Sequence, residues 1–211
     1  MQYPRIVSPT FSVPLEEILK TDAYKKGGHY LYPSDSEGNH LENFFLIENV
    51  VKNESLVDAI TVDMALWAKG IDFDIIFAPS QPAIKTLATR LAKKLGKKTA
   101  FWEYLPSGRF GSMLVEGNVK GKKCIVFNGV TQQGRCVGLR LPEFVESSGG
   151  KVVGACVFAK GTTGLVEQTE KRWGKLFYST VQVDVKVYAP KECALCGGKL
   201  PLKKWTELVK T

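Results

Sequence analysis

The sequence predicts an α/β protein with a mainly parallel sheet that is flanked by helices. Between residues 74 and 159, short apolar segments typical of buried strands alternate with amphipathic segments typical of helices. A succession of strand, helix and strand indicates a parallel sheet that is covered on both faces. The chain has 211 residues, of which 44% are hydrophobic and 24% charged. This composition excludes a collagen, a coiled coil and a largely disordered chain as the main architecture.

The individual elements follow from the spacing of apolar residues and from capping residues. A short helix is predicted from Leu15 to about Lys25, and Asn53 is placed to cap a longer helix. The core elements are predicted, in chain order, as strand 74–78, helix 82–95, strand 99–104, strand 124–127, helix 135–146 and strand 151–159. Gly96, directly after the second core element, is a typical C-terminal stop.

Three segments are less regular. Residues 104–121 contain several glycines without a clear period, which predicts a mobile loop or a short hairpin beside a site. Residues 177–188 alternate valine with polar side chains, which predicts an edge or half-exposed strand. Pro142 falls inside the helix predicted over 135–146, where a proline costs about 3 kcal/mol. We therefore expect that helix to kink or restart at Pro142.

These patterns divide the chain into three parts. Residues 1–70 are expected to form a hood segment and the first helix, residues 71–188 the α/β core, and residues 189–211 a C-terminal tail. The tail carries Cys193 and Cys196 as a C-x-x-C pair. A structural zinc site usually needs four ligands, and the sequence has no second such pair. A tight turn with two free thiols is the preferred interpretation, and a zinc site shared across a dimer is the alternative.

The remaining metal-ligand residue types show no metal-binding pattern, and no bound metal is predicted from them. His29 and His40 fit no ligand spacing and are expected at the surface or in hydrogen bonds. The other cysteines are expected to be reduced and mostly buried: Cys124, Cys136 and Cys156. The N-terminal residues contain no apolar signal segment, and the longest apolar runs are too short to cross a bilayer. We expect a cytoplasmic protein that does not bind membranes.

Charge is unevenly distributed along the chain. Residues 1–74 carry 6 Lys/Arg and 12 Asp/Glu, a net charge of −6, whereas residues 75–211 carry 23 and 9, a net charge of +14. The basic part indicates a partner that bears phosphate. Because no aromatic–basic stacking motif accompanies the lysines, nucleic acid is not the favoured partner. Many of these lysines are expected to be ordinary surface charge.

Two loops fall where α/β proteins bind ligands, beyond the C-terminal ends of parallel strands. The first follows the strand ending near Phe77 and contains Pro79, Ser80 and Gln81. The second follows the strand ending near Phe127 and leads into a helix, which favours phosphate binding by backbone N–H groups. This second loop comprises Asn128, Gly129, Val130, Thr131, Gln132, Gln133, Gly134 and Arg135. It matches neither the P-loop nor the G-x-G-x-x-G motif.

At these loops the chain resembles the type I phosphoribosyltransferases, and the orotate phosphoribosyltransferases in particular. The likeness extends from about Gly28 to Leu202, in order and in spacing. The segments that carry it are Gly28-His-Tyr-Leu with Ser34 and Phe44-Phe45, residues 74–79, residues 123–134, residues 150–154, residues 188–196 and Leu200-Pro-Leu. The resemblance implies the Rossmann-like fold of that family, with a small hood built from both ends of the chain.

The resemblance also implies a reaction and a set of roles. In this family a base nitrogen displaces magnesium-bound pyrophosphate from phosphoribosyl pyrophosphate, and two adjacent acidic residues hold the ribose hydroxyls. This chain has Asn128 and Gly129 at those two positions. By resemblance, Arg109 is the candidate to cover the pyrophosphate, whereas Lys160 and Phe45 belong to the base site. An active form is expected to use Mg²⁺ and to be a homodimer.

Other positions also depart from the family pattern. Gln81 and Pro82 stand where the family has glycines, and Pro82 has no N–H group to donate. Tyr104 stands in place of a basic residue after Glu103. These changes affect the part of the site that would bind pyrophosphate.

Three functions remain open on this basis. The missing acidic pair favours a protein of pyrimidine nucleotide metabolism that binds a small phosphorylated ribose or nucleotide and has impaired transferase chemistry. Loss of one well-placed catalytic group commonly costs a factor of about 100 to 1000. The first alternative is an active orotate or other base phosphoribosyltransferase with a remodelled site, and the second is a regulatory or nucleic-acid-binding module on the same fold. Aspartate restored at positions 128 and 129 is expected to strengthen binding of phosphoribosyl pyrophosphate if the cleft is otherwise intact.

Overall fold

A computed structural model describes residues 2–32, 38–198 and 200–209, so Ser34 lies outside the described residues. The strands, in chain order, are β1 (Arg5–Ile6), β2 (Tyr24–Lys25), β3 (Tyr30–Leu31), β4 (His40–Leu41), β5 (Phe44–Phe45), β6 (Ile75–Pro79), β7 (Lys98–Tyr104), β8 (Phe110–Glu116), β9 (Lys123–Thr131), β10 (Lys151–Lys160), β11 (Phe177–Gln182) and β12 (Val187–Tyr188). The α-helices are α1 (Leu15–Leu19), α2 (Ile47–Val50), α3 (Glu54–Ala68), α4 (Pro82–Leu95), α5 (Leu141–Ser147), α6 (Gly164–Trp173) and α7 (Trp205–Leu208). Within the described ranges, no helix combines the length and the apolar character that a membrane crossing requires.

A seven-stranded sheet forms the centre of the molecule, in the order β1-β11-β10-β9-β6-β7-β8. The five inner strands are parallel, whereas β1 and β8 run antiparallel at the two edges. The predicted mainly parallel α/β fold is confirmed. The strand predicted over 177–188 is split, because β11 ends at Gln182 and β12 joins another sheet. β11 is covered by β1 and is therefore not an edge strand.

Helices cover both faces of this sheet, as the alternation of strands and helices predicts. On one face α3 and α4 close a core whose largest members include Ile60, Leu87, Phe101, Phe127 and Phe158. On the other face α5 and the helical turn before it close a smaller core that includes Phe77, Val126, Leu141, Val145 and Val157. The β9 strand contributes to both cores, because successive side chains of a strand point to opposite faces.

The two long helices on the first face have the predicted signals at their ends. Asn53 Oδ1 accepts a hydrogen bond from the Leu56 N–H at 3.1 Å and caps α3. Pro82 begins α4, and Gly96 ends it with a φ of 63°, a left-handed conformation that glycine adopts without strain. Local sequence therefore determines the bounds of both helices.

Two further segments, 15–25 and 104–121, test the sequence predictions with different outcomes. The helix predicted from Leu15 to about Lys25 ends at Leu19, since residues 24 and 25 pair with β5 as β2. The glycine-rich stretch 104–121 forms a hairpin of β7 and β8, which confirms the hairpin alternative and not the mobile loop. Trp102 Nε1 donates a hydrogen bond to the Gly111 carbonyl at 3.0 Å across this hairpin.

Pro142 divides the helical segment that follows β9. Cys136–Arg140 form a π-helical turn, and α5 begins with Pro142 in its first turn. Pro142 has no N–H group for the carbonyl of Gly138, four residues earlier, and Arg172 Nη1 donates to that carbonyl at 3.3 Å. The helix therefore restarts at Pro142, and the Gly138 carbonyl, to which proline cannot donate, accepts from Arg172 instead.

Two small sheets lie beside the main one and bring the two ends of the chain together. One pairs β2 with β5, and the other has the order β12-β4-β3. After β12 the tail returns to β3, where the Lys203 N–H donates to the His29 carbonyl at 2.8 Å and the Leu31 N–H donates to the Lys203 carbonyl at 2.9 Å. We call residues 24–50 and 187–208 together the hood.

Replacing Arg172 by methionine is expected to lower the free energy of unfolding by about 1 kcal/mol, because the Gly138 carbonyl loses a hydrogen bond. In a Pro142→Ala background, Arg172→Met should lower the free energy of unfolding by less, because the alanine supplies an N–H that can bond to the Gly138 carbonyl. Urea denaturation of the double-mutant cycle measures this coupling, with the exposed Lys171→Met as the control. Equal costs in the two backgrounds would show that Pro142 and Arg172 act independently.

Candidate ligand-binding site

Strand β9 extends further than the sequence predicts. The candidate loop begins at Asn128, but β9 continues to pair with β10 as far as Thr131, which lies opposite Lys160. Only Gln132, Gln133 and Gly134 form the turn into the following helix. We call these three residues and Thr131 the β9 turn. The candidate site is therefore a strand end followed by a tight turn.

A cavity of about 70 Å³ lies at the C-terminal ends of β6 and β9, beneath the hood. Six of its lining residues were predicted as site residues: Phe45, Pro79, Gln81, Asn128, Val130 and Gln132. Phe44 and Tyr104 also line it, and both stand at positions that the resemblance singled out. Nothing in the sequence pointed to the others that close it, chiefly Tyr32, Ile47, Glu48, Ile84 and Trp205. A cavity of this size has room for only a few water molecules and is smaller than a typical ligand site of about 300–1000 Å³.

Apolar side chains occupy the space next to Gly129. A β-carbon added at this glycine would lie 2.3 Å from Ile84 Cδ1 and 2.9 Å from Ile47 Cγ1. Such distances are far below van der Waals contact, so no side chain fits at position 129 unless these isoleucines move. By resemblance this position would carry a carboxylate that holds the ribose. An aspartate restored there would first have to displace Ile84 and Ile47.

The first candidate loop directs its polar groups into the protein. The Ser80 N–H donates to the Trp102 carbonyl at 2.8 Å, and Ser80 Oγ accepts from the Tyr104 N–H at 2.9 Å. Gln81 Nε2 donates to Glu48 Oε1, while Pro79 and Pro82 have no N–H. These hydrogen bonds hold the loop in place and leave it poorly suited to bind pyrophosphate.

The β9 turn differs from the first candidate loop, because it holds buried polar atoms that have no hydrogen-bond partners. Among the described residues these atoms include Thr131 Oγ1, Gln132 Oε1 and Gln133 Oε1. Each of the three residues is at most 8% exposed, so bulk water reaches them poorly. A buried unsatisfied polar group costs about 1–3 kcal/mol, and three on one turn point to a polar ligand.

Three arginines line a second cavity, of about 350 Å³, on the other side of Cys136. Arg109 reaches it from the β7–β8 hairpin, Arg135 from the end of the β9 turn, and Arg140 from the π-helical turn. Arg140 also pairs with Glu143 at 3.4 Å. The structure thus brings the predicted Arg109 and Arg135 together and adds Arg140. Guanidinium groups in this arrangement favour a phosphate-sized anion.

Lys160 is placed differently from the expectation. It is 8% exposed, and its Nζ donates to Glu170 Oε1 on α6. It lines neither cavity. A buried lysine needs such a partner for its charge, so an acidic base would have to compete with Glu170, whose side chain is 35% exposed. The role of Lys160 in the base site stays a prediction. Phe45, the other residue assigned to the base, does line the small cavity.

Burial controls the protonation of the groups beside the small cavity. It raises the pKa of the Cys136 thiol to about 11 and raises the pKa of the Tyr104 hydroxyl, so both stay protonated at neutral pH. Burial also raises the pKa of the Glu48 carboxyl, although hydrogen bonds from Trp205 and Gln81 oppose this shift. A protonated, buried thiol is a poor nucleophile, so Cys136 contributes to the walls of both cavities without reacting.

The donor set does not fit a magnesium ion. Mg²⁺ is usually held by one or two ionised carboxylates together with substrate phosphates. Around the small cavity the described residues supply one carboxylate, Glu48, and it is engaged by Gln81. Asn128 and Gly129 replace the acidic pair that the family would supply. The residues of this chain therefore fit an anion better than they fit Mg²⁺.

Both histidines and the C-x-x-C pair lie together in the hood. The histidines are hydrogen-bonded, as one of the two alternatives predicted, and the surface alternative is wrong. His29 and His40 are buried, at 4% and 6% exposure, and lie in one cluster with Cys193 and Cys196. The tail does turn tightly at 194–197, as expected, but its thiols face the two imidazoles. His29 and Cys193 are 164 positions apart in the chain, so no local spacing could have revealed the cluster.

A Gly129→Ala substitution is expected to lower the free energy of unfolding by about 1–3 kcal/mol, because the new methyl group overpacks Ile84 and Ile47. Combining it with Ile84→Val, which removes the closest carbon, should recover part of this loss. Urea denaturation measures both effects. Gly70→Ala is the matched control, since nothing lies within 4 Å of a β-carbon there. If the two alanine variants were equally stable, the packing around Gly129 would not be tight.

Comparison with known proteins supports the resemblance. No protein-family model matches the chain. The chain is 26% identical over 200 residues to the orotate phosphoribosyltransferase of Caldanaerobacter subterraneus subsp. tengcongensis, covering 90% of this chain and 94% of that relative.

Solved structures share its fold. One is the adenine phosphoribosyltransferase from Thermoanaerobacter pseudethanolicus, with a TM-score of 0.59, 18% identity, and coverage of 80% of this chain and 99% of the other. Another is the Mycobacterium tuberculosis H37Rv orotate phosphoribosyltransferase in complex with 5-phospho-α-D-ribosyl 1-diphosphate, with a TM-score of 0.52, 18% identity, and coverage of 64% and 78%. The chain thus has the fold of the type I phosphoribosyltransferases, and orotate phosphoribosyltransferases are its homologues.

Proposed function

We propose that this protein binds a small phosphorylated ribose or nucleotide at the β9 turn and that its phosphoribosyl transfer chemistry is impaired. The observation that carries the proposal is the set of three buried, unpartnered polar atoms on that turn. A ligand that hydrogen-bonds to them would remove the cost of leaving them unsatisfied. The solved homologue with bound 5-phospho-α-D-ribosyl 1-diphosphate supports a ligand of this class.

The charge around the turn favours the phosphate end of such a ligand. Arg135 is the first residue after Gly134, and it shares the larger cavity with Arg109 and Arg140. Hydrogen bonds between guanidinium and phosphate are charge-assisted and roughly twice as strong as neutral ones. The phosphate is therefore assigned to the arginine side, and the polar ribose to the side of Thr131 and Gln132.

Three features support impaired transfer. The position of the second family carboxylate is packed by Ile84 and Ile47. The pyrophosphate loop has its Ser80 groups bound internally. The single cavity carboxylate, Glu48, is hydrogen-bonded to Gln81. Positive charge that develops on the ribose therefore lacks the two carboxylates that would stabilise it.

Substituting Thr131 by valine tests the binding site. The change removes an unpartnered buried hydroxyl, so the free protein should be as stable as before or more stable by about 1 kcal/mol. Binding of phosphoribosyl pyrophosphate or ribose 5-phosphate, measured by calorimetry, should weaken by about 10-fold, the effect of losing one good hydrogen bond. Thr86→Val, which removes a hydroxyl bonded to the Pro82 carbonyl on an exposed helix surface, should leave binding unchanged.

Two results would count against the site. If both valine variants bound the ligands as the unmodified protein does, the β9 turn would not contact them. If the protein bound neither ligand but bound an oligonucleotide with strong salt dependence, the nucleic-acid alternative would take precedence.

The rate of turnover distinguishes a protein with impaired phosphoribosyl transfer from an active phosphoribosyltransferase. With orotate, phosphoribosyl pyrophosphate and Mg²⁺, formation of pyrophosphate should be at least about 100-fold slower than for the Caldanaerobacter homologue assayed beside it, since more than one catalytic group is altered. Comparable rates would establish an active enzyme with a remodelled site. We further propose that the protein is a cytoplasmic homodimer, as the family resemblance implies, and sedimentation analysis measures the assembly.

A further inference from the structure

Four ligand-type side chains converge where the hood meets the tail: His29, His40, Cys193 and Cys196. Each offers one ligand atom, and no two of these atoms lie more than 4.8 Å apart. We call these residues the His–Cys cluster. Three of them are buried, whereas Cys196 is exposed and gives access from solvent.

Four of the six separations inside the cluster are close to those of a tetrahedral metal site, and the other two are at most 4.8 Å. Zinc binds imidazole nitrogen at about 2.0–2.1 Å and thiolate sulfur at about 2.3 Å, which places N and S ligands about 3.6 Å apart at the tetrahedral angle. His29 Nε2 lies 3.6 Å from Cys193 Sγ and 3.7 Å from Cys196 Sγ. His40 Nδ1 lies 3.3 Å from Cys196 Sγ. The two imidazole nitrogens, 2.9 Å apart, need to separate by only about 0.4 Å.

A hydrogen bond outside the cluster orients the His29 ring. His29 Nδ1 lies 3.1 Å from the Leu200 carbonyl oxygen, which can only accept. Nδ1 must therefore carry the proton, and in the neutral ring Nε2 presents its lone pair to the two thiols. Metal-ligating histidines usually donate their second N–H to such a partner, which fixes both the tautomer and the ring orientation.

We propose that the His–Cys cluster binds one Zn²⁺ ion in a closed, four-coordinate structural site. Two sulfur and two nitrogen ligands in tetrahedral arrangement select zinc over the oxygen-preferring cations. Each thiol releases one proton on binding, and the two thiolates then balance the charge of the ion. A neutral complex suits a mostly buried position, where an unpaired charge is costly. The C-x-x-C pair thus obtains its other two ligands within the same chain.

The position of the cluster indicates what the zinc would do. His40 lies on β4, which pairs with β3 and with β12 in the small sheet. The ion would therefore link this sheet to the tail at residues 193–196. Beyond the cluster the tail bonds to β3 at Lys203 and reaches Trp205. Trp205 lines the small cavity and packs edge-on against Tyr104, with ring centroids 6.2 Å apart. Zinc would therefore hold the residue that covers the cavity.

The metal content of the full chain tests the proposal. The protein is prepared without a histidine tag from cells grown with zinc, dialysed, and analysed by elemental mass spectrometry. We expect one zinc ion per chain. Replacement of zinc by Co²⁺ should produce the visible absorption of a tetrahedral site together with thiolate-to-metal charge transfer. A strong chelator should remove the zinc and lower the midpoint of thermal unfolding, because metal-binding free energy is also folding free energy.

Two substitutions and one control assign the ligands. Cys196→Ser and His29→Gln should each weaken zinc binding by more than the roughly 10- to 100-fold that loss of an outer partner costs. Cys124→Ala, at a buried cysteine outside the cluster, should keep the full zinc content. A zinc-free, folded wild-type chain whose Co²⁺ complex shows no charge transfer would overturn the proposal, as would a Cys193–Cys196 disulfide. Equal loss of zinc from Cys124→Ala and Cys196→Ser would also overturn it. The zinc content and the Co²⁺ spectrum of the unmodified chain test the proposal even if a variant does not fold.

Discussion

Strand β9 pairs with β10 as far as Thr131, and the rest of the site depends on this pairing. The backbone of Asn128 to Thr131 is held by pairing with β10, whereas the pairing of β9 with β6 ends at Val126. Gly129 is therefore fixed against Ile47 and Ile84, and the space beside it is apolar. Polar groups that could meet a ligand are confined to the short turn that follows.

The same constraint underlies our proposal that this chain binds an anion but has impaired transferase chemistry. The β9 turn and the arginines lie beyond the end of the strand, where they can face a phosphate. The ribose-holding positions lie within the strand, where one is a buried amide and the other has no side chain. Relative to the pattern that the family resemblance implies, the region has lost two carboxylates, at positions 128 and 129, and one cation, at Tyr104. Three arginines line the larger cavity. That balance favours a bound anion over a developing positive charge.

Local signals predicted the elements that local forces control. Pro82 and Gly96 delimit α4, Asn53 caps α3, and Pro142 restarts the helical segment as α5. The extension of β9 was missed because Asn128-Gly129 is a common turn dipeptide, whereas tertiary pairing with β10 overrides that preference. Ile47, Ile84 and Trp205 gave no sign of lining a cavity, because an apolar residue in a helix usually indicates only a core. Lys160 was assigned to the base by position alone, and its Glu170 partner on α6 could not be foreseen.

The hood joins residues that are far apart in sequence, because the Lys203 N–H bonds to the His29 carbonyl. In the main sheet, β1 likewise pairs with the distant β11. During synthesis the N-terminal segment leaves the ribosome long before its partners exist. Contacts with such large sequence separation also close large loops, whose entropy must be lost before the contacts can stabilise the fold. The small cavity therefore acquires this part of its cover late, only after Trp205 has been synthesised. Until then, Phe44 and Phe45, which line the cavity together with Trp205, lack this part of their cover.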